Sequence, residues 1–176
     1  MGINPPLLTN MFYTYTQKSL DKELFEPVVN TLINKPGKGL WACEDNSWKI
    51  WCDIEDYSCG NICTQFKLIP NSKIYVINDV QDFLYLMQVY PYEPFEGLGR
   101  SIDWVTLSKQ FDGVQLTQKG LYKCRSLLTE DTGNVCFNAT LLMGTCSWDV
   151  PSICIFNYDI ITDIREVNPQ GVGLAC

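Results

Sequence analysis

One stretch of the sequence decides the fold class: FKLIPNSKIYVINDVQDFLYLMQVY, residues 66–90. Residues 66–69 and 73–77 are rich in β-branched and aromatic side chains and flank a Pro-Asn-Ser turn, which predicts two strands. The Asn-Asp pair that follows is typical of a helix start, and apolar residues recur at helical spacing over 80–90. Along the whole chain, such strands do not alternate regularly enough with long helices for a doubly wound sheet, so an α+β fold is favoured.

The flanking sequence continues this mixture of short elements. The other predicted strands are 11–16, 40–43, 136–143 and 152–157, and 111–117 is predicted as a turn that leads into a strand. The other predicted helices are 19–32 in two short pieces, 47–52 and 103–109, whereas 91–100 and 118–134 have the composition of loops. We therefore predict a single α+β domain over residues 1–176, with loose tails at 1–10 and 168–176. Its mostly antiparallel sheet is split or strongly bent and is flanked by short helices.

The charge balance limits the classes of partner. The chain has 13 Lys+Arg against 20 Asp+Glu, a formal net charge of −7. Proteins that bind nucleic acid generally present a basic surface to the phosphates, so nucleic acid is disfavoured and a basic protein partner fits better. No apolar run reaches the roughly 18 residues of a membrane span, and the first residues do not form a signal peptide. We predict a cytoplasmic protein with no membrane partner.

The available residue types exclude several reaction classes. The sequence has no histidine, which excludes Ser-His-Asp and Cys-His catalysis and histidine-ligated zinc or iron. Its nine cysteines are an odd number without a secretory signal, which argues against a disulfide framework. Cys52, Cys59 and Cys63 could form part of a zinc site, although their spacing is not that of a paired knuckle. Buried or free thiols are the favoured interpretation, and no metal is expected.

Several aromatic and acidic residues allow two interpretations. Trp41, Trp48 and Trp51 could line a ligand pocket, but their strand and helical spacing is more often that of core residues. Asp112 could hold a substrate group, or it could begin a turn that requires glycine at the next position. The sequence alone leaves both choices open.

Three segments resemble motifs of the ADP-ribosyltransferase-like folds. Phe-Tyr-Thr-Tyr-Thr at 12–16 resembles the first strand, whose end meets NAD in that family. Gly-Leu-Trp-Ala-Cys at 39–43 is similar to the second motif, a glycine, an aromatic and a small hydroxyl residue before a helix. Segments 112–114 and 155–160 resemble the final strands of toxin-type members. The Gly-Leu-Trp and Trp-x-x-Trp-Cys signature is also similar to an uncharacterised group of bacterial and large-virus proteins.

This resemblance implies a site for NAD or a related nucleotide. The residues implied to contact the cofactor are Tyr13, Thr14, Thr16, Gly39, Trp41, Cys43 and Trp48. Hydroxyl groups on a strand edge would hold the nicotinamide ribose, and Trp41 would form a stacking wall. Cys43 stands where the family usually has serine.

The implied catalytic group departs from the family pattern. Cleavage of the glycosidic bond of NAD passes through an oxocarbenium-like species, which a nearby carboxylate stabilises. Gln115 stands where related sequences tend to have glutamate, and Asp112 and Glu166 are the alternative acids. The histidine or arginine of the first motif is replaced by residues 13–15.

Two functions therefore remain open. One is an NAD-dependent transferase that attaches ADP-ribose to a macromolecule. The other is a catalytically inactive binding or interaction protein on the same fold, of viral or mobile-element origin. Such a protein would have a protein partner and, if viral, would act in the host cytoplasm.

Overall fold

The computed structural model describes residues 11–32, 34–93, 101–129 and 148–168. The strands are β1 (Phe12–Thr16), β2 (Leu40–Ala42), β3 (Ile62–Leu68), β4 (Ile74–Ile77), β5 (Pro91–Tyr92), β6 (Ser101–Ile102), β7 (Gly113–Leu116), β8 (Ser152–Ile155) and β9 (Ile161–Val167). The helices are α1 (Ser47–Ile54), α2 (Val80–Val89), α3 (Trp104–Leu107) and α4 (Gln118–Thr129), with 3-10 turns at Lys22–Leu24 and Tyr158–Ile160.

The strands form three sheets. One has the order β1-β3-β9, and both of its pairings are antiparallel. A second has the order β2-β8-β7-β4, in which only the β4–β7 pair is parallel. The short β5 and β6 form a third. These pairings confirm the predicted α+β class with mostly antiparallel sheets and short helices.

The four-stranded sheet is covered on both faces because its side chains alternate between two apolar layers. Leu40, Ala42, Ile153 and Ile155 face the three-stranded sheet in a cluster that includes Phe12 and Phe66. On the other face, Val114, Leu116 and Cys154 belong to a larger cluster with the buried residues of α2, α3 and α4. Burial on both faces explains why three of the four residues in each of β7 and β8 are apolar or glycine.

Helix α2 begins as its sequence predicts. The Asp79 side chain accepts a hydrogen bond from the Gln81 N–H at 3.3 Å, and the Asp82 carboxylate accepts one from the Asp79 N–H at 3.0 Å. This reciprocal cap satisfies amides that the first turn of a helix leaves unpaired. None of the helices in the described ranges is long and apolar enough to cross a membrane.

Four local predictions were wrong. The predicted loop 91–100 begins with strand β5, which pairs with β6. The predicted loop 118–134 begins with helix α4, because Leu121 and Cys124 are buried while the Thr117 hydroxyl caps Gly120 N–H at 3.1 Å. The predicted helices in 19–32 reduce to one 3-10 turn, because Val29 pairs with Gly37 in a β-bridge. Strand β9 was not predicted as a strand.

Other predictions lie outside the described residues. These are the strand at 136–143 and the loose tails, of which only Asn168 is described.

Candidate functional site

A pocket lies where the two larger sheets meet. Strands β1 and β2 belong to different sheets and meet at an isolated bridge, in which Tyr13 N–H donates to the Cys43 carbonyl at 2.7 Å and Cys43 N–H donates to the Tyr13 carbonyl at 3.0 Å. Residues of both strands line a cavity of about 330 Å³ at this junction. The contact between the two sheets therefore brings the lining residues together.

All the residues that the family resemblance assigns to cofactor binding line this cavity. They are Tyr13, Thr14, Thr16, Gly39, Trp41, Cys43 and Trp48. They come from β1, from β2 with its flanking residues, and from the first turn of α1. The structure thus brings together segments that are separated in the sequence.

Strand geometry decides which of these side chains share a face. Tyr13 and Cys43 are paired directly, and Tyr15 and Trp41 each lie two residues from one of them, so all four belong to one face. Thr14 alternates to the other face and is 4% exposed. The Thr16 hydroxyl donates to the Lys18 carbonyl at 2.6 Å. The pocket face is therefore mainly aromatic, with the threonines at its edge.

Two pairs of tryptophans form aromatic walls. Trp41 meets the buried Trp148 edge to face, with ring centroids 4.9 Å apart. Trp48 stacks on Trp51 at 4.9 Å with an interplanar angle of 12°. Flat faces of this kind bind aromatic ligand rings by stacking. Trp41 and Trp48 line the cavity and also pack on neighbours, and Trp41, Trp48 and Trp51 are all only partly buried.

Gly39 allows β2 to approach β8 closely. Its φ is +69°, a conformation that other residues rarely adopt. A Cβ atom here would lie 2.8 Å from the Ile155 carbonyl oxygen and 2.9 Å from Cys154 Sγ. Glycine is therefore required for the backbone at the base of the pocket.

The pocket contains one ion pair that the sequence analysis did not identify. Lys35 Nζ lies 4.7 Å from the centroid of the Trp41 ring and 3.8 Å from Asp149 Oδ2. Burial lowers the pKa of Lys35, and the Asp149 carboxylate opposes that shift. Arg125 donates to the carbonyl oxygens of Trp148 and Asp149 at 3.0 and 3.2 Å, which holds this segment against α4.

Two side chains in the pocket lining, Cys43 and Tyr15, are protonated at neutral pH. Burial raises the pKa of Cys43 to about 12, so its thiol is neutral at pH 7. Burial, together with the neighbouring Cys63 thiol, raises the pKa of Tyr15, whose hydroxyl donates to Asn46 Oδ1. Both groups therefore act as neutral polar contacts at neutral pH.

The state of Cys43 gives a direct test of this geometry. At pH 8 a thiol with a pKa near 12 is ionised in about one molecule in ten thousand, and only the thiolate reacts with iodoacetamide. We expect peptide mapping of the folded protein to show Cys43 unmodified after the less buried Cys59 has reacted. Rapid labelling of Cys43 in the folded protein would contradict this description of the pocket.

The three candidate catalytic residues do not line the cavity. Gln115 on β7 donates through Nε2 to Glu44 Oε1 at 2.8 Å. The Asp112 carboxylate accepts from Lys73 N–H and Asn157 Nδ2, each at 2.9 Å, and so joins the ends of strands. Glu166 on β9 accepts from the Ser19 hydroxyl at 2.6 Å and lies two strands from Thr14, roughly 10 Å away. The carboxylate that does line the cavity is Asp149.

Sequence reasoning missed Lys35 and Asp149 because each lies in a turn or loop with no motif of its own. The sequence contained only a weak indication of Asp149. Trp-Asp at 148–149 lies two residues before the strand predicted at 152–157. For a metal, no group of three or more potential ligands occurs within the described ranges.

Comparison with known proteins adds no further constraint. No protein-family model, curated protein or solved structure matches this chain.

Proposed function

We propose that the pocket between β1 and β2 binds NAD or a related nucleotide, and that the chain is an ADP-ribosyltransferase-like binding protein. One observation carries the proposal. The seven residues that the sequence motifs imply for NAD, from three separate segments, line one cavity. Motif similarity alone would not require these segments to meet.

The size of the pocket supports a part of the dinucleotide as its occupant. Ligand pockets commonly measure about 300–1,000 Å³. The cavity of about 330 Å³ is at the lower end of that range. It suits the nicotinamide and its ribose, with the remainder of the ligand extending out of the cavity.

The chemistry of the walls fits the same occupant. Nicotinamide is flat and stacks on tryptophan, and Trp41 and Trp48 supply aromatic faces. Lys35 supplies a positive charge in a protein whose net charge is −7, which suits the phosphate end of a nucleotide. Tyr15, on the aromatic face of the pocket, supplies a hydroxyl group for a ribose.

Binding without transfer is the form of this function that the geometry favours. Gln115, Asp112 and Glu166 each have a structural hydrogen bond and lie outside the cavity lining. Stabilising an oxocarbenium-like species requires a carboxylate beside the breaking bond. Asp149 is the carboxylate in place for that role, and it is already paired with Lys35.

The test is calorimetric titration with NAD, followed by measurement of nicotinamide release in the same sample. Binding without release supports a binding protein. Binding with release makes the chain an enzyme and directs substitution first to Asp149. If NAD does not bind at millimolar concentration, the proposed function is wrong.

Replacement of Trp41 by alanine should weaken NAD binding by about 10- to 100-fold, because stacking on an aromatic side chain contributes about 1–3 kcal/mol. Trp41→Phe keeps an aromatic face and should recover most of that loss. Tyr122→Ala is the control, since this tyrosine is 68% exposed on α4 and does not line the pocket. Equal affinities for the wild type and Trp41→Ala would contradict the stacking role.

A further inference from the structure

We propose that Lys35 is the anion subsite of this pocket, that it binds the pyrophosphate of the nucleotide, and that Asp149 is the internal anion which the ligand displaces. The identity of the ligand rests on the proposed function. The subsite itself rests on the position of the lysine and on its present partners.

The Lys35 ammonium lies at the pocket, where it forms an ion pair with Asp149. Its distance of 3.8 Å to Asp149 Oδ2 is that of an ion pair and exceeds a normal hydrogen bond. Among the residues that the structure describes, none accepts a hydrogen bond from Nζ. An ammonium has three N–H donors, so all three are available to phosphate oxygens.

The backbone that carries Lys35 is fixed by buried contacts. The preceding Asn34 is 2% exposed, and its Oδ1 accepts from Ile102 N–H at 2.8 Å and from the Ser101 hydroxyl at 2.9 Å. The Lys35 carbonyl accepts from the Thr31 hydroxyl at 2.5 Å. The turn is therefore preorganised, which reduces the entropy lost when an anion binds.

The neighbouring tryptophan places the charge next to a stacking surface. Lys35 Nζ lies 4.7 Å from the centroid of the Trp41 ring, a cation–π distance. A ligand that stacks at this wall therefore brings its adjoining groups close to the ammonium. Nucleotides carry phosphates at a short distance from an aromatic ring, so they can contact the tryptophan and the ammonium together. Uncharged aromatic metabolites would not form an ion pair with the ammonium.

Asp149 is suited to be displaced. Its side chain is 30% exposed, so the carboxylate can be solvated after it leaves the lysine. Its backbone stays in place because Arg125 holds its carbonyl oxygen. A mostly buried ammonium needs a counterion in the free protein, and a pyrophosphate offers more charge and more acceptors than one carboxylate.

The experiment is a calorimetric comparison of the wild type with Lys35→Met, using NAD, nicotinamide riboside and inorganic pyrophosphate as separate probes. We expect Lys35→Met to weaken NAD binding by about 10- to 100-fold. Binding of nicotinamide riboside, which has the ring and ribose but no phosphate, should not weaken, and this shows that the pocket is still folded. Lys123→Met, which removes an exposed lysine on α4, should leave all three affinities unchanged.

Asp149→Asn tests the displacement. Removing the internal anion should tighten NAD binding by about two- to five-fold, in keeping with the modest strength of a partly exposed ion pair. Weaker binding by Asp149→Asn would overturn the displacement and make Asp149 a direct support for the ligand.

The outcomes separate this inference from the proposed function. If the wild type binds NAD and Lys35→Met binds it equally well, the anion subsite is wrong and the proposed function stands. If the wild type binds pyrophosphate through Lys35 but does not bind NAD, the subsite stands and the proposed ligand is wrong. If the wild type binds neither NAD nor pyrophosphate, both the subsite and the proposed function are wrong.

Discussion

Replacing Gly60 by alanine is expected to lower the free energy of unfolding by about 3 kcal/mol or more. A Cβ atom at this position would lie 2.2 Å from both the backbone N and C atoms of Thr16 and 2.3 Å from its Cα atom. These contacts are with backbone atoms, so no side-chain rotation can relieve them. The chain around Gly60 must move away from the end of β1, where Thr16 pairs with Ile62.

Urea unfolding followed by tryptophan fluorescence measures this loss. Gly37→Ala is the matched control, because its Cβ would meet side-chain methyl groups of Val29 and Thr31 that can shift. We expect the control to lose clearly less stability than Gly60→Ala. Since Thr16 also lines the pocket, any folded Gly60→Ala protein should bind NAD more weakly. A stability change within about 0.5 kcal/mol would refute the close approach.

Replacing Trp148 by alanine should lower the free energy of unfolding by about 3–5 kcal/mol, the usual range for a buried aromatic residue. Trp148 is fully buried in the larger apolar cluster and supports Trp41 at 4.9 Å. Its removal leaves a cavity directly behind the pocket wall. We therefore expect weaker NAD binding as well as lower stability, with both measured on the same preparation at a temperature where the variant is folded.

Two further variants test whether burial of Trp148 explains the loss of stability. Trp148→Phe keeps most of the apolar volume, and among the described residues the Trp148 indole N–H has no hydrogen-bond partner to lose. Trp148→Phe should therefore lower the free energy of unfolding much less than Trp148→Ala does. Trp51→Ala removes a tryptophan that is only partly buried on α1, and we expect a loss of about 1 kcal/mol. Equal losses for Trp51→Ala and Trp148→Ala would show that burial does not explain the effect.

Elements with a strong local pattern were predicted well. The strand at the start of the described chain and the strand–turn–strand–helix segment at 66–90 have alternating or helical apolar spacing. The structure contains each of these elements, although β3 begins at Ile62, four residues before the predicted start. The Asp79 cap also follows from sequence, because its partners lie within three residues. These features depend on contacts between near neighbours.

Elements whose state depends on distant contacts were predicted poorly. Helix α4 has a polar composition, and burial of Leu121 and Cys124 in the larger cluster supports it as a helix. Val29 is in a bridge with Gly37 rather than in a helix, and Glu166 lies on a strand because β9 pairs with β3. Local propensity is a weak energy that tertiary packing readily exceeds.

The sequence by itself determined the α+β class, and its motifs predicted the group of residues around β1 and β2. Only the tertiary structure decided that these residues line one cavity, that Gln115, Asp112 and Glu166 lie outside its lining, and that Lys35 and Asp149 lie within it. The physical reason is that apolar periodicity records which face of an element is buried. It does not record where two sheets meet or which distant loops lie at that junction.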